Sequence, residues 1–574
     1  MGAMKIPALL LLTLLVVLSQ AWGGTFTTTD TFIPVAAQAT ATDAGDTSDA
    51  TTDKIHLDAR VYIPDGVTAP APVIVIIHPY GGSKTSDTAV TLANDFASQG
   101  YVVLTPTVRG FGDSDGLVSL VGPNEVNDLK TIILAMQTGA IGDSPAVSVP
   151  VSTTSNFGVT GASYGGGHAF EIMRTHVAGL AAVAPIIGWT DLYQALSPND
   201  VPKLAFTVGL FGGGFNATDP NYEDQMFDLL GDFLGGHPED ARTGGPQNNI
   251  DWRSVIFDPA ELTVPAFVIQ GWRDWLFPSE QAESLFQTST AIPFFKMYLG
   301  GLGHPPATSD IGNPEALFLR AQLIRWFDHW LKGVDNGITN APRVTVAPER
   351  TAAWSETNLI TADTFPLPGT VMNTYFFNRL KLSPRAPAAG RRVTIQPTTG
   401  VPDLLKPIQN ALGGDTAGLI AAVTVVNGIL NSGGDILSPN IVTNLDTGAN
   451  SISFTSAVLR QNLHVVGLPA LHLFVSSTDS DADYYVQILE KLPGGKVRLV
   501  SRGAFEDHAA TFNEPHEIDF SLFGINHVFK AGNKIMVQVT SRDFPFFLPN
   551  FSQPKIRIYR DSQRPSNVAL PVVP

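Results

Sequence analysis

The chain of 574 residues contains no cysteine. This absence excludes disulfide bonds, metal sites built from thiolates and a cysteine nucleophile. Basic residues are also few, since 35 Lys and Arg face 52 Asp and Glu and give a formal net charge of −17. A chain this acidic, with no basic run, argues against nucleic acid and anionic membrane surfaces as partners.

Long apolar segments are scarce, and the one that suggests targeting lies at the N-terminus. There Lys5 precedes an apolar run over residues 7–18, and small residues follow. This pattern predicts a signal peptide over residues 1–24 and a secreted or cell-envelope protein with no stable membrane insertion after cleavage. The alternative is an uncleaved anchor, but the run is shorter than the roughly 20 residues that span a bilayer.

The whole chain is 44% apolar, which suffices for large cores. After residue 24 it divides into segments of different composition. Residues 25–54 are predicted to be a flexible linker, because most of this stretch is small, polar and acidic. Strand and helix patterns alternate over 55–340, which predicts an α/β domain with a mostly parallel sheet. A segment over 189–258, rich in Gly, Asp, Phe and Leu, interrupts this alternation and predicts a helical cap insertion.

The pattern changes again after residue 340. Short strand-like runs separated by turn residues predict an all-β sandwich over residues 341–574. One stretch inside the 402–450 insertion, Asp415 to Asn431, is apolar without strand alternation, and we interpret it as a buried insertion of unassigned role. The predicted fold class is therefore α/β, with a cap insertion and a C-terminal β-sandwich.

One short motif points to chemistry. Residues Gly161-Ala162-Ser163-Tyr164-Gly165 fit G-x-S-x-G, and they lie between a strand pattern and a helix pattern. In that setting the serine occupies a sharp, strained turn at the end of the sheet, and the N–H of the next residue points at the developing oxyanion. The motif therefore predicts Ser163 as a nucleophile and the Tyr164 N–H as an oxyanion donor.

A serine nucleophile needs a base that is held by an acid, and two later strands end in suitable residues. The strand VPAFVIQG leads to Asp274, and the strand FFKMYLGG leads to His304. Active-site residues of such sheets collect at the carboxyl ends of the strands, in the chain order serine, acid, histidine. We therefore predict Asp274 as the acid and His304 as the base, and no metal or cofactor is implied.

Other candidates fit less well. His168 lies on the helix after Ser163, where it would point away from the hydroxyl, so we interpret it as a packing residue. Asp310 is interpreted as a loop residue, and Asp258 precedes its strand instead of following it. The loop after the strand PVIVIIH is expected to supply the second oxyanion donor, either through a backbone N–H or through the hydroxyl of Tyr80. The alternative for Tyr80 is a tyrosine that packs on the end of the sheet.

These motifs together resemble the Xaa-Pro dipeptidyl-peptidase and cocaine-esterase-like family of α/β-hydrolase serine hydrolases. The resemblance runs from about residue 55 to about residue 565. It rests on segments around the predicted site and in the sandwich: PVIVIIHPYGG, VRGFGDSDG, GASYGG, GWRDWLFP, GLGHPP, LHVVGLPALHLFVSSTDSDADYYVQILE and HVFKAGNKIMVQVTSRDFPFFLPN. The resemblance implies a jelly-roll C-terminal domain, and it implies that the Tyr80 hydroxyl and the Tyr164 N–H hold the oxyanion.

Three functions stay open at this point. The first is a secreted serine esterase or amidase acting on small esters, and the second is a peptidase that removes Xaa-Pro dipeptides. A carboxylate in the insertion that binds the substrate ammonium would favour the peptidase. The third is a non-catalytic surface protein whose sandwich binds other molecules. The sandwich either closes one side of the cleft or mediates a homo-oligomer.

Overall fold

The computed structural model places both predicted domains, and the residues it describes are 24–37, 54–214, 221–304, 313–348, 354–388, 392–396, 442–443, 450–508, 511–543, 546–550 and 552–574. Most of the predicted signal peptide, the apolar segment at 415–431 and Asp310 lie outside these ranges. Within them, no helix combines the length and the apolar character needed to cross a bilayer.

The N-terminal domain is built on a sheet of ten strands. A separate two-stranded hairpin, β5 and β6, lies beside this sheet. In chain order the strands of the domain are β1 (Phe26–Ala36), β2 (Lys54–Pro64), β3 (Val73–Ile77), β4 (Val102–Pro106), β5 (Ala140–Ile141), β6 (Val147–Ser148), β7 (Phe157–Ala162), β8 (Leu180–Ile186), β9 (Ala266–Gly271), β10 (Phe295–Gly300), β11 (Val344–Val346) and β12 (Ile360–Ala362).

The central strands of this sheet are parallel and buried on both faces. The sheet order is β1-β2-β4-β3-β7-β8-β9-β10-β11-β12, with parallel pairing from β4 through to β11. Every residue of β3, β4, β7, β9 and β10 is buried, as continuous apolar runs between two helical layers should be. The carboxyl ends of β7, β9 and β10 therefore meet at one edge of the sheet.

Helices pack against the sheet, and three of them form the cap insertion. The helices are α1 (Asp87–Ser98), α2 (Pro123–Met136), α3 (Tyr164–Glu171), α4 (Leu192–Leu196), α5 (Leu204–Gly214), α6 (Asp224–Gly235), α7 (Glu280–Thr288) and α8 (Pro314–Lys332). Between β8 and β9 the chain forms α4, α5 and α6, so the predicted helical cap insertion is confirmed. Local sequence sets both ends of α8: Asn313 accepts a hydrogen bond from the Ala316 N–H, and Gly333 ends the helix in a left-handed conformation.

Two predicted boundaries need correction. The predicted linker over 25–54 contains β1, which pairs antiparallel with β2 along its full length. The predicted sandwich start at 341 is too early, because β11 pairs parallel with β10 and β12 pairs with β11 in the N-terminal sheet. The sheet that a short strand such as β11 or β12 joins depends on partners that are distant in the sequence.

The C-terminal domain is an all-β sandwich, as predicted. Its fourteen hydrogen-bonded strands enclose a separate apolar core. The strands are β13 (Val371–Asn378), β14 (Lys381–Ser383), β15 (Arg392–Ile395), β16 (Val442–Thr443), β17 (Ser451–Thr455), β18 (Leu463–Gly467), β19 (Ala470–Ser477), β20 (Ala482–Lys491), β21 (Val497–Asp507), β22 (His516–Ser521), β23 (Ile525–Phe529), β24 (Lys534–Thr540), β25 (Ile556–Tyr559) and β26 (Asn567–Val572).

The sandwich packs against the loop that follows β9. Trp275 of that loop is 1% exposed and contacts the rings of Phe523 and Phe546 from the sandwich. The guanidinium of Arg502, from β21, lies over the Trp275 ring at 4.8 Å. The sandwich therefore supports one wall of the region where β9 and β10 end.

Candidate active site

Ser163 lies on a strained turn between β7 and α3. Its backbone has φ 59° and ψ −112°, a region that a residue with a side chain rarely adopts. The turn is held because the Ser163 N–H donates to the Ile186 carbonyl at 2.9 Å and the Ser163 carbonyl accepts from the Gly166 N–H at 2.9 Å. These contacts fix the serine at the carboxyl end of β7, in the position that the motif predicts.

The glycines of the motif are required by close backbone packing. A Cβ atom at Gly161 or at Gly165 would collide with the carbonyl oxygen of Ile77 in the neighbouring strand β3. A side chain at either position would push the turn away from the sheet. The sequence pattern around Ser163 is therefore explained by the space available at this edge.

Asp274 follows β9 and is 1% exposed. Its Oδ1 accepts hydrogen bonds from the backbone N–H groups of Leu276 at 3.1 Å and Phe277 at 2.8 Å. These bonds fix the carboxylate plane and leave Oδ2 directed at His304. The backbone of the loop after β9 thus orients the Asp274 carboxylate independently of its contact with His304.

His304 joins the other two residues. Its Nδ1 lies 2.6 Å from Asp274 Oδ2, and its Nε2 lies 2.8 Å from Ser163 Oγ. Because a carboxylate accepts hydrogen bonds, Nδ1 carries the proton and Nε2 is left to accept the serine hydroxyl. The ring also makes an edge contact with Phe277 at 5.2 Å between centroids. The structure therefore brings Ser163, Asp274 and His304 into one hydrogen-bonded chain.

The alternative candidates lie elsewhere. His168 is buried beneath the turn, where its Nδ1 contacts the Tyr164 carbonyl at 3.0 Å and its Nε2 lies 3.3 Å from the Glu125 carboxylate. Asp258 forms an ion pair with Arg174 at 2.8 Å. Both side chains have structural partners of their own, in agreement with the interpretation of these residues from the sequence.

Tyr80, the predicted oxyanion hydroxyl, lines the same pocket as Ser163, but its hydroxyl has another partner here. It donates to the hydroxyl of Tyr222 at 2.7 Å, and Tyr222 donates to the Phe211 carbonyl at 2.8 Å. Burial, followed by the neighbouring Tyr222, raises the pKa of Tyr80 well above its ordinary value. The hydroxyl therefore stays protonated and keeps a proton that it can donate.

A buried carboxylate beneath the site was not predicted from the sequence. Glu125 accepts the hydroxyl of Tyr164 and the N–H groups of Ser119 at 2.6 Å and Val121 at 2.7 Å. Burial would raise the pKa of Glu125, but hydrogen bonds, from His168 first and then from Tyr164 and Ser119, outweigh it and lower the pKa. Glu125 thus remains an acceptor that ties the first residue of α3 to the loop before α2.

That loop forms a strained wall of the pocket. Leu120 and Val121 have φ of 55° and 57°, in the left-handed region. The buried Arg253 holds the loop, because its guanidinium donates to the Ser119 carbonyl at 2.9 Å and to the Leu120 carbonyl at 3.1 Å. The side chain of Leu120 then faces the pocket that contains Ser163.

The pocket at Ser163 is almost entirely apolar. It lies between the sheet edge and the cap helices and opens to solvent, and its empty space, with the open part included, is about 600 Å³. No charged side chain occurs among the described residues that line it: Tyr80, Leu120, Ser163, Tyr164, Trp189, Leu192, Leu196, Thr207, Leu210, Phe211, Met226, Leu230, Phe233 and Phe277. A neutral, largely apolar group fits this cavity best.

A group of side chains that could hold a metal ion lies away from this pocket. Asp481, Glu506 and His508 have ligand atoms within 4.8 Å of one another. Glu506 lies in β21, Asp481 directly precedes β20 and His508 directly follows β21. None of them lines the cavity at Ser163.

Two family models match the chain. The model described as X-Pro dipeptidyl-peptidase (S15 family) matches residues 53–305, and the model of the X-Pro dipeptidyl-peptidase C-terminal non-catalytic domain matches residues 336–568. The cocaine esterase of Rhodococcus sp. (strain MB1 Bresler) is 22% identical, and the alignment covers 91% of this chain and 97% of that protein. A putative Xaa-Pro dipeptidyl-peptidase of Bacillus anthracis is 23% identical, with 86% and 76% covered.

Solved structures share the fold. A CocE/NonD family hydrolase from Staphylococcus aureus superimposes with a TM-score of 0.66 at 15% identity, covering 95% of this chain and 93% of that one. An α-amino acid ester hydrolase superimposes with a TM-score of 0.64 at 17% identity, covering 99% of this chain and 100% of that one. Both domains are thus matched in sequence and in structure, and the chain belongs to the Xaa-Pro dipeptidyl-peptidase and cocaine-esterase-like family of α/β-hydrolase serine hydrolases.

Proposed function

We propose that this serine hydrolase is an esterase for largely apolar carboxylic acids, and that it acts through an acyl-enzyme on Ser163. The observation that carries the proposal is the pocket at Ser163, whose described lining is apolar and bears no charge. An acyl group must occupy the cavity next to the nucleophile, so the chemistry of that cavity selects the acid part of the substrate.

The same observation weighs against the removal of Xaa-Pro dipeptides. A free amino terminus is a cation, and burying it without a counter-charge is costly. Five carboxylates of the cap insertion are candidates for such a counter-charge, Asp191, Asp200, Glu223, Asp224 and Asp228, and three of them have other partners. Asp191 caps α4, Asp200 accepts the Tyr193 hydroxyl, and Glu223 accepts the side-chain amide of Asn124. Asp224 and Asp228 are exposed, and none of the five lines the pocket.

The proposed first step forms the acyl-enzyme. His304 Nε2 takes the proton of the Ser163 hydroxyl while Oγ attacks the ester carbonyl, and Asp274 stabilises the imidazolium that results. The oxyanion lies at the N-terminus of α3, where the Tyr164 N–H has no acceptor within the helix. The imidazolium then gives its proton to the alkoxide leaving group, and the alcohol departs.

The second step hydrolyses the acyl-enzyme and regenerates the free enzyme. His304 takes a proton from water, the hydroxide attacks the acyl carbonyl, and the proton passes to Ser163 Oγ as the carboxylic acid is released. The Tyr80 hydroxyl can serve both steps by turning from Tyr222 to the oxyanion. Tyr222 can then donate to the Tyr80 oxygen, so the pair stays hydrogen-bonded throughout.

The proposal is tested by comparing two substrates on the same enzyme. We expect release of p-nitrophenol from p-nitrophenyl octanoate with a kcat/KM at least about a hundredfold above that for release of p-nitroaniline from Gly-Pro p-nitroanilide. The anilide places an ammonium group in a cavity whose described walls offer no carboxylate. Comparable turnover of the anilide would overturn the esterase proposal and favour the dipeptidyl-peptidase.

The role of Tyr80 gives a separate prediction. Tyr80→Phe should lower kcat for the octanoate ester by about 10²- to 10³-fold with little change in KM, because an oxyanion donor acts in the transition state. Tyr222→Phe is the matched control, since it removes the other hydroxyl of the same pair and should cost about tenfold or less. A Tyr80→Phe enzyme with wild-type kcat would assign the second oxyanion donor to another group.

A further inference from the structure

One buried cation of the cap insertion has no part in the chemistry described above. Lys203 directly precedes α5 and is 0% exposed. Its segment is bound to the sandwich, because the carbonyl of the neighbouring Pro202 accepts the Leu548 N–H at 2.8 Å. Its ammonium lies 4.5 Å from the centre of the Phe523 ring, which also belongs to the sandwich. The cap and the sandwich therefore hold this side chain between them.

A lysine is a costly choice at this buried position. Burial lowers the pKa of Lys203, because the charged form loses its hydration, and the negative charges of Glu280 and Asp274 oppose this shift without cancelling it. Methionine would fill a similar space without a charge, and the replacement of buried charges by apolar side chains is often neutral or stabilising. The stability of the fold therefore does not explain the ammonium.

The ammonium contacts the loop that orients Asp274. Lys203 Nζ donates to the Leu276 carbonyl at 3.1 Å. This carbonyl and the Phe277 N–H belong to one planar peptide group, and in its trans form they point in opposite directions. The N–H donates to Asp274 Oδ1 at 2.8 Å. Lys203 and Asp274 thus hold the same peptide group from its two ends, and rotation of that group would break both hydrogen bonds.

We propose that Lys203 is a positioning residue for Asp274 and that it acts through the peptide group between residues 276 and 277. A cation at the carbonyl oxygen polarises the amide, so the N–H at the other end becomes a stronger donor to the carboxylate. That bond fixes Oδ1 and leaves Oδ2 to hold His304 Nδ1 at 2.6 Å. The inference rests on the proposed role of Asp274, and it gives the sandwich a part in the reaction as the domain that seats the lysine.

The test is a double-mutant cycle of Lys203→Met with Asp274→Asn, measured on p-nitrophenyl octanoate. Lys203→Met alone should lower kcat about tenfold with little change in KM, because the acid acts in the transition state and not in the binding of the ester. In the Asp274→Asn enzyme the same change should lower kcat about twofold or less, because no acid is left to be positioned. A lysine that merely supported the fold would lower kcat by the same factor in both enzymes.

Lys296→Met is the matched control. Lys296 is also buried and also donates to a carbonyl, that of Pro342 at 2.8 Å, but it lies near the start of β10, at the opposite end of that strand from His304. This variant should keep kcat within about twofold of the wild type. Lys203→Gln, which is uncharged and one bond shorter than lysine, takes the place of Lys203→Met in the cycle if the methionine enzyme does not fold, with the same results expected.

The outcomes separate the inference from the function beneath it. Wild-type kcat in Lys203→Met overturns the inference and leaves the proposed function standing, as does an equal loss in both backgrounds. If Asp274→Asn alone keeps kcat within about tenfold of the wild type, the proposed role of Asp274 fails instead. If the wild-type enzyme cleaves the Gly-Pro anilide and no octanoate ester, the esterase proposal fails, and the same cycle on the anilide decides the role of Lys203.

Discussion

Replacing Ser163 by alanine is expected to lower kcat for ester hydrolysis by about 10⁴- to 10⁶-fold, because no other side chain at the site can form the acyl-enzyme. The Ser163 hydroxyl is the group that His304 Nε2 contacts, at 2.8 Å. Removing one oxygen leaves the turn intact, since its backbone bonds to Ile186 and Gly166 do not involve the side chain. The loss should therefore appear in kcat and not in stability.

Two measurements check this expectation. The first follows p-nitrophenol release by the wild type, by Ser163→Ala and by Ser148→Ala, a control at an exposed serine in β6 that should keep full activity. The second labels the enzyme with a fluorophosphonate and locates the adduct by mass spectrometry, which should find it on Ser163 alone. Ester turnover that survives Ser163→Ala, or an adduct on another serine, would remove Ser163 from the mechanism.

The fold and the site's three central residues could be predicted because local patterns determine them. Each of Ser163, Asp274 and His304 follows a fully buried parallel strand, and such strands end at one edge of a sheet. The structure places them within hydrogen-bond distance of one another, as the order of strands implies. The glycines at 161 and 165 belong to the G-x-S-x-G motif because neither position tolerates a Cβ atom.

The supporting residues could not be predicted in this way, because their roles depend on contacts between distant parts of the chain. Tyr222 meets Tyr80 across 142 residues, and Arg253 meets Ser119 across 134. Neither residue lies in a motif, and a buried arginine that binds only carbonyl oxygens has no sequence signal. The position of Glu125 in the first turn of α2 is ordinary for an acidic residue.

Strand β1 shows a second limit. Its buried face consists of Thr31, Ile33 and Val35, which alternate with less buried residues. Pro34 and four threonines make this short stretch resemble a polar linker, so the alternation is not recognised as a strand. Proline is nevertheless tolerated in a strand at the edge of a sheet. Arg109 ties the end of β1 to α2, because it donates to the Ala36 and Ala37 carbonyls and to Asp128. A marginal strand of this kind becomes visible only when its partner is known.

The fold alone does not distinguish an esterase from a dipeptidyl-peptidase, whereas the lining of the pocket bears on the substrate of this chain. The hydrogen-bonded chain of Ser163, His304 and Asp274 suits any ester or amide, so it says little about the substrate. Phe277, three residues after Asp274, combines two roles, since its N–H orients Asp274 and it lines the pocket at Ser163. A change of acyl specificity at this position is therefore constrained to side chains that leave the backbone bond in place.

Asp274→Asn is expected to lower kcat by about 10⁴-fold while leaving the folding stability nearly unchanged. The backbone N–H groups of Leu276 and Phe277 both donate to Oδ1, so they hold the amide oxygen of the asparagine at that position. The amide nitrogen then replaces Oδ2 and donates to His304 Nδ1, which must become the acceptor nitrogen. The proton moves to Nε2, the atom that has to take the serine proton, and the base is blocked.

A change in tautomer distinguishes this prediction from a simple loss of charge at the site. Asp258→Asn is the matched control, because that carboxylate precedes β9 and pairs with Arg174 instead. It should keep the wild-type kcat, and thermal unfolding should show similar midpoints for both variants. If Asp274→Asn retained activity within about tenfold of the wild type, the two N–H bonds to Oδ1 would not be fixing the amide, and His304 would take its orientation from another group.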